Sequence, residues 1–96
     1  MKTHILKSLP KHYKGSKSGK KMFEVRKDDR GFKVGDHVEI HLFKYGKMSK
    51  KHLIFKIKYI LRHKDFPSGI KKGYCILGLK ITYAFELSEW VNTINV

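Results

Sequence analysis

The chain has 96 residues and carries 22 Lys and Arg against eight Asp and Glu, a formal net charge of +14 with histidine neutral. That length supplies one core and no second module to house a separate activity. A hydrophobic fraction of 41%, with six Phe, five Tyr and one Trp, excludes extended disorder, and a field of this sign draws a polyanion: RNA, DNA, an anionic membrane face or a phosphorylated small molecule.

In chain order, Thr3 to Lys7 is a predicted strand with His4 and Leu6 on one face and Ile5 and Lys7 on the other. Leu9-Pro10 starts a new element, since proline suits the first turn of a helix. Lys11 to Lys17 is then a short basic helix closed by Ser18-Gly19, held to the rest through Leu9 and Tyr13. Lys21 to Lys27 alternates as a half-buried strand, with Phe23 and Val25 on one face and Met22, Glu24 and Arg26 on a polar face turned to solvent or ligand.

Asp28 to Gly31 and Lys33 to Asp36 carry turn chemistry. His37 to Phe43 alternates, with Val38, Ile40 and Leu42 inward. Lys44 to Lys51 is expected as a hairpin loop. His52 to Arg62 is the longest strand, with Leu53, Phe55, Ile57, Tyr59 and Leu61 on one face. Asp65 to Gly69 is a loop, and Tyr74 to Leu79 is apolar on both faces, as a central strand is. Leu87, Trp90, Val91 and Ile94 fall at helical spacing, which predicts a C-terminal amphipathic helix or arm.

The sum is a mostly β (α+β) domain, a small antiparallel β-barrel of about five strands with one or two short helices. The single cysteine, Cys75, lies in an apolar run and reads as a buried thiol in a reducing cytoplasm. No apolar run approaches the roughly 20 residues of a spanning helix, and no membrane partner is expected.

Ser18 to Arg30 holds five cations and three anions around a short apolar alternation. On a strand, Glu24 and Arg26 share a face about 7 Å apart at Cα, close enough to pair or to grip one ligand. Lys21 has the opposite parity and joins them only through a bend at Gly19-Lys20 or a bulge. Arg26 offers a fork for phosphate, Lys21 a point charge and Glu24 an acceptor for a base amino group.

Gly19, Lys21, Glu24 and Arg26 spell G-x-K-x-x-E-x-R. With His4, Leu6-Lys7, Pro10, Phe32, Val34-Gly35-Asp36, Tyr59-Ile60-Leu61 and Gly73-Tyr74-x-x-Leu77-Gly78, the chain resembles the ASCH domains of the PUA-like superfamily, in a subfamily of short bacterial and phage proteins of unknown function. The resemblance covers roughly Thr3 to Leu79, which makes 1–79 the domain and 80–96 an extension packing on it. It implies a PUA-like β-barrel with a cleft beside the motif strand, and RNA or a modified nucleoside as the ligand.

The resemblance also implies an alternative, amide hydrolysis of N4-acetylcytidine-like nucleosides. Such enzymes use a lysine in the motif, a threonine three residues later and a distant glutamate. Lys21 matches the lysine, whereas Glu24 stands at the threonine position. The catalytic pair on this alternative is Lys21 and Glu24, while a binding domain has no catalytic residue. A protein-interaction module is the third class.

The expected RNA- or ligand-binding residues are Lys11, Lys20, Lys21, Glu24, Arg26, Lys27, Arg30 and Lys33, with Tyr13 or Phe32 as a stacking face. DNA is a further candidate partner. Neither cofactor nor metal is expected: His37 and His41 share a strand face yet lie about 13 Å apart, and no cysteine pair supports them.

Overall fold

The fold was analysed in a computed structural model, which describes residues 1–85; the helix or arm expected over Leu87 to Ile94 lies outside them. Strand β1 spans Thr3–Ser8, helix α1 Pro10–Lys17, β2 Phe23–Lys27, β3 His37–Lys44, β4 Lys47–Arg62 and β5 Tyr74–Phe85. One sheet runs in the order β1-β3-β4-β5-β2. Among the described residues only β1 and β3 pair in parallel. The domain is therefore mostly β with one short helix, and its five-stranded mixed sheet curls into a half-barrel.

The connection between β1 and β3 explains the curl. A parallel pair needs a crossover, and here the crossover carries α1 and then lays β2 on the far edge of the sheet. Pro10 opens α1, where its missing N–H costs nothing. Tyr13 fills the concave face beside Val38, Ile40, Leu53, Phe55 and Ile57, all of them buried. Cys75 lies in the same core, where burial pushes its thiol up to about 11 and keeps it inert.

Loop 28–36 is tied down by two polar anchors. Arg62 donates to both carboxylate oxygens of Asp28 and to the Phe32 carbonyl. Asp36, itself buried, accepts from His4 Nε2 at 2.9 Å and from the amides of Lys2 and Lys33 at 3.1 Å. The His4 hydrogen bond first, and the Lys2 amide second, hold its carboxyl down at about 2.

Three expectations are corrected. Lys44 to Lys51 is not a loop: β3 and β4 continue to a two-residue turn at Tyr45-Gly46, with φ of 54° and 73°. Positive φ at both central residues matches the twist of the flanking strands, so the hairpin closes tightly. Tyr59 and Leu61 do not continue the inward face of β4. A register shift between Ile57 and Tyr59 reverses the alternation, leaving Tyr59 62% exposed and bringing Ile60 against the core. The third is the polarity of β2: Glu24 is buried, and Phe23 and Val25 face out.

The β4 bulge gives a direct test. Tyr59→Ala is expected to cost under about 0.5 kcal/mol and Ile60→Ala about 1–2 kcal/mol, by chemical denaturation. An unbroken alternation would give the opposite ranking.

Candidate functional site: the seam between the sheet edges

The two edge strands, β1 and β2, come together across the open side of the half-barrel, and arginine side chains join them in place of a backbone ladder. Arg26 Nη2 donates to the Lys7 carbonyl and Arg30 Nη1 to the Ile5 carbonyl, each at 2.6 Å. Alternate carbonyls of a strand point to the same side, so Ile5 and Lys7 offer a row of edge acceptors that two guanidiniums satisfy.

Glu24 organises this seam. It lies on the concave face of β2 opposite Leu77 of β5 and is only 4% exposed. Its Oε1 accepts from Arg26 Nη2 at 2.8 Å and from Arg26 Nε at 3.1 Å, and its Oε2 accepts from Lys21 Nζ. A carboxylate so deep in a half-barrel requires paired charge, which is why the polar residues of β2 turn inward and Phe23 and Val25 turn out.

Lys21 arrives by the bend that its parity requires. Gly19 adopts φ +80°, and the chain turns back so that the Lys21 amide donates to the Gly15 carbonyl of α1 at 2.9 Å. Lys21 thus precedes β2. Its ammonium reaches Glu24, the Phe23 carbonyl at 2.8 Å and the Phe23 ring, 5.1 Å from the centroid.

A cavity of about 440 Å³ opens over this cluster, between β1, α1 and β2. Lys7, His12, Lys21 and Arg26 supply polar and charged groups, and Leu9, Phe23 and Val25 supply apolar walls. Those three apolar side chains are 57%, 45% and 55% exposed, a cluster that water does not favour and a ligand can cover. A smaller cavity of about 210 Å³ lies farther along the same seam, bounded by Leu6, Arg26, Lys27, Asp29, Arg30 and Phe32. Arg26 borders both.

Of the expected site residues, Lys21, Glu24 and Arg26 meet in one cluster, and Lys27 and Arg30 border the smaller cavity. Lys11, Lys20 and Lys33 are exposed and border neither. The stacking faces expected of Tyr13 and Phe32 are corrected: they are 4% and 1% exposed and belong to the core, because the half-barrel's concave side needs aromatic bulk to fill it. Phe23 is the exposed aromatic instead. The sequence signal for it was present, since an edge strand has a free side on which an apolar residue can face a ligand. His12 was also missed as a cavity residue, although it lies one helical turn from Leu9.

Among the described residues no helix is long and apolar enough to cross a membrane. A family model described as "Domain of unknown function (DUF3850)" matches residues 3–79. No curated protein matches the chain.

Proposed function

The chain belongs to the DUF3850 family, and from its own site we propose that it binds single-stranded RNA, seating one nucleotide in the seam between β1 and β2. The observation that carries this is the larger cavity, where an exposed aromatic and two aliphatic side chains stand beside a Lys-Glu-Arg cluster of net charge +1 (two cations, one anion). Phe23 offers a face to an unpaired base, and Lys7, Lys21 and Arg26 draw its phosphate. Lys27 and Arg30 extend the cationic rim to a second phosphate along the seam.

The half-barrel is, on this proposal, of the PUA-like, ASCH type. Support comes from the motif itself, whose four positions have separate physical roles here. Gly19 makes the turn, Lys21 and Arg26 flank the carboxylate, and Glu24 holds both in place. A modified nucleoside is the small-molecule form of the same ligand class.

Binding is favoured over hydrolysis of N4-acetylcytidine-like nucleosides by the state of Glu24. Both of its oxygens are occupied by cations, so it has no oxygen clear of them to take a proton from water. No turnover of N4-acetylcytidine is expected.

Fluorescence titration of a short single-stranded RNA at several salt concentrations tests the proposal. Neutralising about two phosphates predicts a slope of about −1.4 in log K against log salt. Phe23→Ala is expected to weaken binding about 10-fold or more through lost stacking. Absence of binding at low salt defeats the RNA proposal, and a partner retained after nuclease treatment favours the protein-interaction class.

A further inference from the structure

We propose that Glu39, His41 and His52 form a binding site for a divalent transition-metal ion of the zinc class, on the outer face of the sheet. Glu39 and His41 alternate along β3 with the buried Val38 and Ile40, so both face away from the core. His52 lies directly across on β4, paired with His41 in the antiparallel register. The two imidazoles stack with centroids 4.6 Å apart and planes 23° from parallel.

The hydrogen bonds fix which nitrogen of each ring faces Glu39. His41 Nδ1 lies 3.0 Å from the Ser49 carbonyl and His52 Nδ1 lies 2.8 Å from the Lys50 carbonyl. A carbonyl only accepts, so both Nδ1 atoms carry a proton, and a ring that gives up its Nε2 proton to bind a metal turns that lone pair the other way. Both Nε2 atoms face the same carboxylate oxygen, Glu39 Oε1, at 2.7 Å for His41 and 3.8 Å for His52.

Three lone-pair donors therefore converge. A proton bridges one such pair at a time, whereas a divalent ion engages all three. An imidazole whose other N–H is held by a backbone carbonyl is the usual arrangement around a metal-bound histidine.

Distances and shelter also fit. At metal–ligand bonds of about 2.0–2.1 Å, tetrahedral ligands stand about 3.4 Å apart. The two separations to Glu39 bracket that value, and one ligand atom from each of the three residues lies within 4.8 Å of the others. The side chains of His41, His52 and Glu39 are 12%, 15% and 24% exposed, which leaves an opening for water as a fourth ligand. Two nitrogens and one oxygen suit zinc, cobalt, nickel or copper better than magnesium or calcium. Lys7, beside His41 on β1, places its ammonium over the Phe43 ring, 4.7 Å from the centroid. The bulge between His41 and Phe43 adjoins the site, a position where strands re-aim side chains.

Titrating Zn²⁺ into the untagged, metal-stripped full chain by calorimetry tests the site. One ion per chain is expected, with affinity falling about 100-fold in His41→Ala or His52→Ala and about 10-fold in Glu39→Gln, and unchanged in His37→Ala. Imidazole resonances of His41 and His52 in the unaltered chain should shift with Zn²⁺, which keeps the test valid if a variant folds poorly. Unshifted rings, or Zn²⁺ affinity in His41→Ala and His52→Ala equal to that of the unaltered chain, would overturn the proposal and leave Glu39 as an ion-pair partner only.

Discussion

Glu24→Ala is expected to lower the unfolding free energy by about 3 kcal/mol, because it leaves two cations facing each other in a partly buried seam. Lys21 and Arg26 keep 19% and 26% of their side-chain surface in contact with water, so the loss falls at the lower end of the range for a broken buried pair. The effect is also geometric. Arg26 spans from Glu24 to the Lys7 carbonyl, and without its carboxylate the guanidinium loses the restraint that aims it at β1. Glu24→Ala should therefore weaken RNA binding, although the loss of one negative charge by itself would strengthen it. Glu24→Gln, which keeps the size and one acceptor oxygen but not the charge, should fall between the other two proteins. Chemical denaturation and RNA titration on the same three proteins check both effects.

The second large effect is at Asp36, where alanine should cost about 3 kcal/mol by stripping three donors of one buried acceptor. The pH dependence has a defined sign. Asp36 has its carboxyl held down from an ordinary 3.8 to about 2. A lowered folded-state value contributes stability that is complete above the ordinary value and is lost as pH falls through the lowered one. The melting temperature of the unaltered chain should thus decline between about pH 4 and pH 2, and Asp36→Ala should flatten the curve in that window. An equal decline in both proteins would assign the acid transition to other carboxylates.

Much of the fold was legible where alternation is unbroken. Val38 and Ile40 on β3, and His4 and Leu6 on β1, bury as their period predicts. Pro10, Ser18 and Gly19 bracket α1 where local chemistry puts its ends. The failures have one kind of cause, an event that periodicity does not encode. The bulge after Ile57 reverses β4, so Tyr59 turns outward although its spacing from Phe55 says otherwise. The Tyr45-Gly46 turn does not announce itself in the sequence, because its first residue is not one that ordinarily accepts positive φ.

The candidate site was legible in its residues and not in its polarity. Lys21, Glu24 and Arg26 could be picked out, and even the bend at Gly19 follows from strand parity. Turning Glu24 outward followed the rule that charge faces water. That rule yields here because two cations accompany the carboxylate inward. Along one strand His41 has only His37 to share a face with, whereas its partner is His52, which only the β3–β4 register brings opposite. Cross-strand pairing is the information a single sequence lacks.

The most direct test of the seam as an RNA site is a chemical-shift map of the isotope-labelled chain with a short single-stranded RNA. The largest shifts are expected at His12, Lys21, Phe23, Val25 and Arg26, with smaller ones at Lys27 and Arg30. Shifts gathered elsewhere, such as along the exposed Lys56 and Lys58 of β4, with none at Phe23 or Arg26, would contradict it.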